Sequence, residues 1–146
     1  MTRSDVVDAQ TLFLVTALRT AMRQSPQAQK ELWKGLALSA GEDRARSVET
    51  TFDSMMVLLA KHSRRPLATH DGNCMCIGAD EAVFAQFIQL AADGEPEDAM
   101  LMGMLILRAD IVPLAVGLAQ QLGLMTRHLI QVRSVRPSSR ASHVYH

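Results

Sequence analysis

Hydrophobic residues recur three and four positions apart along most of the chain, and β-branched residues never gather into an alternating run. The first spacing keeps side chains on one face of a helix, whereas a half-buried strand needs period two, so the pattern predicts an all-α fold. A first helix is expected from about Asp5 to Gln24, capped by Ser4, with Leu12, Leu14, Val15, Leu18 and Met22 spread over a wide apolar face. Ser25-Pro26 ends it and starts a second, because proline suits the first helical position, and this one carries Leu32, Trp33 and Leu36 before Ala40-Gly41. A third helix, about Arg44 to His62, has the cleanest stripe in Val48, Phe52, Met55 and Leu59.

Between about 63 and 78 the periodicity fails, and Pro66, Asp71, Gly72, Asn73 and Gly78 supply the turn chemistry of a long loop. Helix four starts at about Ala79, with Asp80 and Glu81 where the helix dipole favours negative charge, and Asp93-Gly94 stops it. Pro96 opens helix five, whose run from Ala99 to Leu107 is apolar nearly all round and is expected at the centre of the bundle. A sixth helix is expected from about Ile111 to Leu122, with Gly123 placed to end it. The expected architecture is thus a compact bundle of about six helices forming one domain over 1–133, followed by a flexible basic tail over 134–146.

At 146 residues the chain has the length of one ordinary domain, and 48% hydrophobic with 21% charged residues excludes disorder throughout. The apolar run ending at Leu107 falls far short of the roughly 20 residues a membrane-spanning helix requires. Asp5 and Asp8 stand where a secretory leader would be basic and then apolar, which makes the cytoplasm the expected location. The formal net charge is zero, yet every Asp and Glu lies at or before Asp110, and Arg127, Arg133, Arg136 and Arg140 follow it. The apolar faces of the first and fifth helices exceed what six short helices cover, so a homodimer is expected, with a further protein partner open. The methionines of the third and fifth helices, Met55 and Met100 among them, are expected to fill the core.

Candidate chemistry is concentrated in the loop. His70, Cys74 and Cys76 are N and S donors within seven residues, with His62 upstream as a fourth, and zinc takes four such donors in a tetrahedron. The single Cys-x-Cys lacks the spacing and the second pair of a structural zinc motif, so two other readings stand beside it. The thiols pack as small apolar groups, or they act as a redox sensor, since a cysteine just before a helix start has its pKa lowered by the dipole. Paired catalytic carboxylates, a phosphate loop and a nucleophile motif are missing from the sequence, which favours a non-enzymatic regulatory or binding protein.

Near the C-terminus, Ala115 to Val132 resembles the helix-turn-helix DNA-binding pattern, with Ala119 at the helix crossing, Gly123 in the turn, and Leu118, Leu124, Leu129 and Val132 as apolar contacts. The resemblance implies a recognition helix offering Thr126, Arg127, Ile130 and Gln131 to the major groove, with Arg133 and Arg136 on phosphates, over the segment 115–136. A plain helical hairpin has the same spacing, and a neutral chain is a poor match for nucleic acid.

Overall fold

The computed structural model describes residues 2–71 and 75–144, with side chains described as far as Val132. Among the described residues there are six helices and no strand: α1 (Arg3–Met22), α2 (Pro26–Ala40), α3 (Glu42–His62), α4 (Ala79–Ala92), α5 (Pro96–Gly103) and α6 (Val112–Val144). The all-α expectation therefore holds, and so does the long connection between α3 and α4. No helix is long and apolar enough, among the described residues, to cross a membrane.

Helix starts follow local hydrogen bonding. Thr2, rather than Ser4, caps α1: its Oγ1 accepts from the Asp5 amide at 3.2 Å while the Asp5 carboxylate accepts from the Thr2 amide at 3.1 Å, so two otherwise orphaned donors are satisfied reciprocally. Ser25 caps α2 through a 3.3 Å bond from the Ala28 amide, with Pro26 in the first turn. Gly41 joins α2 to α3 at φ +100°, a conformation that L side chains rarely adopt.

Helix α4 packs against α1, α5 and α6, the last of which reaches every other helix, and its Phe84, Phe87 and Ile88 are fully buried. Each such side chain contributes roughly 1.5–3 kcal/mol relative to an exposed one. A line of aromatic rings ties four helices together: Phe13 meets Trp33 at 6.3 Å, Trp33 meets Phe52 at 5.7 Å, and Phe52 meets Phe84 at 6.4 Å. These tilted and edge-on arrangements add to simple area burial.

Three expectations are corrected by this packing. Helix α5 is peripheral and ends at Gly103, where a Cβ would come within 2.8 Å of the Phe87 ring. The chain then turns, so that Ile106 and Leu107 insert into the core while Leu101 and Leu105 stay 63% and 56% exposed. Among the methionines, Met55 fills the core as expected, but Met100 is exposed. Gly123 does not end a helix either: α6 runs through it without a turn. A Cβ at Gly123 would stand 2.7 Å from both the Ile88 carbonyl oxygen and the Ala92 Cβ, so the glycine lets α6 lie close against α4. The turn that a helix-turn-helix unit requires is therefore not formed. The stretch from 134 onward belongs to α6 by its backbone up to Val144, and its side chains lie outside those described.

Gly117 and Gly123, on the same helix, separate propensity from packing. Gly117 has open space around the position of a Cβ, so Gly117→Ala is expected to stabilise the fold by about 0.5–1 kcal/mol. Gly123→Ala should destabilise it by roughly 1–3 kcal/mol through overpacking. Urea denaturation of the two variants checks both signs.

Candidate functional site

Among its described residues the connection between α3 and α4 forms no helix and only a single bridge, of Ser63 with Leu107, yet two carboxylates from the first turn of α4 bind its backbone. Glu81 is fully buried. Its Oε1 accepts from the Gly78 amide at 2.9 Å and its Oε2 from the His70 amide at 3.1 Å, so one carboxylate draws both ends of the segment 70–78 together. Arg19, from the buried face of α1, supplies the countercharge: Nε donates to Oε2 at 2.6 Å and Nη2 to Oε1 at 2.9 Å. The same Nη2 donates to the Cys76 carbonyl at 2.5 Å, which ties the cysteine's backbone directly to the buried pair.

Asp80 repeats the device at the loop's first half. Both of its oxygens accept from Arg65, at 2.7 and 2.8 Å, and Oδ2 also accepts from the Ala68 amide at 2.8 Å. The Arg65 side chain is more than half exposed whereas that of Asp80 is nearly buried, so this pair is the weaker of the two. Hydrogen bonding by Arg19, with further bonds from the Gly78 and His70 amides, outweighs burial and lowers the Glu81 carboxyl to about 2. The Arg65 guanidinium, and then the Ala68 amide, likewise hold the Asp80 carboxyl below its ordinary value.

Within the ring so closed, the His70 imidazole packs at the neck: a Cβ on Gly78 would be 3.0 Å from His70 Cδ2 and Nε2. Met75, Cys76 and Ile77 stand outward, Met75 almost entirely exposed. The fold thus sets His70 beside Gly78, two residues from Cys76. Cys74 lies outside the described residues. His62 sits elsewhere, at the end of α3, where its carbonyl accepts from the Arg108 amide at 3.0 Å and its buried Nδ1 has no hydrogen-bond partner among the described residues. Among the described residues no three His, Cys, Asp or Glu side chains come close enough to hold a metal ion.

Three of the residues expected to contact DNA, Thr126, Arg127 and Ile130, are engaged within the bundle. Thr126 is buried, donating to the Leu122 carbonyl at 2.8 Å and accepting from Gln10 Nε2 of α1 at 2.8 Å. Arg127 is ion-paired with Asp93, past the end of α4, at 2.9 Å, and Ile130 is buried. Gln131 is exposed, while the side chains of Arg133 and Arg136 lie outside those described.

Arg19, Arg65 and the loop-binding role of Asp80 and Glu81 are absent from a motif reading. One signal was available: Arg19 stands four residues after Val15 on the apolar face of α1, and a cation there requires a buried acid.

The pair predicts an acid response. Because the folded-state value of Glu81 lies below its ordinary 4.5, its contribution is complete above the unfolded value and is lost as pH falls from about 5 towards about 2, on the order of 3 kcal/mol in all. Stability measured by denaturant titration across that range should fall more steeply in the parent chain than in Glu81→Gln. The variant should also be destabilised at neutral pH by roughly 3–5 kcal/mol, since Arg19 keeps its buried charge without the carboxylate.

No family model matches this chain, and none of the curated proteins or solved structures compared with it gives a match.

Proposed function

We propose that the chain is a non-enzymatic regulatory or binding protein whose operative element is the 63–78 loop, with Cys74 and Cys76 as the responsive groups. The observation that carries this reading is the closure of 70–78 by Glu81, which draws the His70 and Gly78 amides to one carboxylate. The two ends of the segment whose sequence carries both thiols are thereby drawn together, with His70 beside Gly78 and Cys76 exposed. The two carboxylates beside it are engaged by arginines and backbone amides, which suits a structural part in the site better than proton transfer.

Zinc is the metal proposed for this ring. Thiolates bind it at about 2.3 Å and imidazole at about 2.0–2.1 Å, so Cys74, Cys76 and His70 would supply three donors, with the fourth from Asp71 or a second copy. The reading presumes a compartment that keeps thiols reduced, such as the cytoplasm. Elemental analysis of protein purified without affinity tag or chelator is expected to give about one zinc per chain or per dimer. A Cys74→Ser, Cys76→Ser variant should lose the metal and keep its helical circular dichroism. A metal-free parent protein whose thiols ignore mild oxidant would contradict both the metal and the redox form of the proposal.

A second copy of the chain is the partner we propose. Leu101 and Leu105 border a surface groove of about 390 Å³ that also takes in Leu90 and Met102, apolar surface that a two-fold contact would cover. Light scattering at micromolar concentration should give twice the 16.0 kDa chain mass, and a Leu101→Glu, Leu105→Glu variant should give the monomer. A parent protein that scatters as a monomer ends this part of the reading.

A further inference from the structure

The connection between α3 and α4 is fastened unequally along its length. At its start, the Arg64 amide donates to the Ile106 carbonyl at 3.1 Å and the Arg108 amide to the His62 carbonyl at 3.0 Å, so main-chain bonds pin the end of α3 to the turn that follows α5. Farther on, the Glu81 carboxylate holds the His70 amide. Between these two pins, residues 65–69 rest on one apolar anchor and one polar clasp. The anchor is Leu67, the only buried residue among those described in 63–78, and it joins the apolar core. The clasp is Asp80, which accepts from the Ala68 amide at 2.8 Å and from both Nη atoms of Arg65.

The two carboxylate clasps differ in their access to water. The Arg19 and Glu81 side chains are 7% and 0% exposed, so dissolved salt hardly screens their attraction, whereas the Arg65 side chain is 58% exposed. The hold of Asp80 on Arg65 therefore weakens as salt rises, and that of Glu81 on Arg19 does not. Asp80 is itself nearly buried. A carboxylate deprived of its cation gains hydration when the backbone above it lifts away, so loss of the ion pair favours release of Ala68 as well.

We propose that 65–69 is a lid that opens on its own, latched by the Arg65–Asp80 ion pair, while the thiol-bearing segment 70–78 stays closed on Glu81. Opening lifts Leu67 out of the core and bares the Asp80 carboxylate at the start of α4. Salt, or an anion that draws Arg65 away, is the trigger. The lid builds on the loop as the operative element of the protein but not on its metal, so zinc analysis and lid opening fail separately.

Native-state hydrogen exchange separates the two parts by their amides. After correction for intrinsic rates, Ala68 is expected to exchange at least about tenfold faster than His70 and Gly78. Raising sodium chloride from about 0.05 M to about 1 M should speed Ala68 several-fold and leave His70 and Gly78 unchanged relative to the amides of α4. Arg65→Gln, with unchanged circular dichroism, should speed Ala68 by about tenfold at low salt and remove its response to salt. Arg65→Lys keeps the charge without the paired contacts and should lie between the variant and the parent. One common rate for the three amides overturns the proposal, as does an Arg65→Gln variant that speeds all three alike, because the connection then opens as a single unit. An Ala68 rate that ignores both salt and the Gln substitution overturns it too, since the ion pair is then no latch.

Discussion

A buried charge has to be answered, and in this protein the answer organises the site. Arg19 enters the bundle from α1 with only 7% of its side chain exposed and meets a Glu81 that is fully enclosed. Two such groups out of water are favourable only where geometry is close and the remaining bonding positions are filled. Here each carboxylate oxygen takes a second hydrogen bond from the loop backbone, and the guanidinium takes the Cys76 carbonyl. The loop is therefore part of what makes the buried pair tolerable, and the pair is what holds the loop.

The rest of the bundle follows from how closely the helices approach α4. Gly103 and Gly123 place backbone against Phe87 and against Ile88 and Ala92, and any side chain there would push α5 or α6 away. On the other side, the rings of Phe13, Trp33, Phe52 and Phe84 carry α1, α2 and α3 onto the same core. Gln10, Gly123 and Thr126 join α1 to α6 by buried hydrogen bonds, which fix the register of two otherwise apolar surfaces. With α1 and α4 so located, Arg19 reaches Glu81 and the loop closes.

How much of this is legible in the sequence depends on the range of the interaction. Periodicity, proline and glycine give the starts of α2 and α4 and the break at 63–78, because those features act within a few residues. Gly123 shows the limit: a glycine after an apolar run has the same appearance whether it stops a helix or sits in a close crossing, and only its distance to Ile88 separates the two. The run from Ala99 to Leu107 is similar, because Gly103 and the Phe87 ring divide it into a surface helix and an inserted turn. For the loop, ligand-type residues are visible as a cluster, whereas its closure depends on Arg19, which is 62 residues from its partner. A local motif cannot contain that contact, although a lone cation on an apolar face announces that one exists.

The central claim is that one buried carboxylate closes the loop, and it is tested most directly at the two backbone amides that carboxylate accepts from. Native-state hydrogen exchange should find the His70 and Gly78 amides protected to a degree comparable with α4, despite their place in an irregular segment. An Arg19→Met variant should release these two before the rest of the bundle. Exchange of both amides at the rate of an unstructured chain in the parent protein would contradict the account.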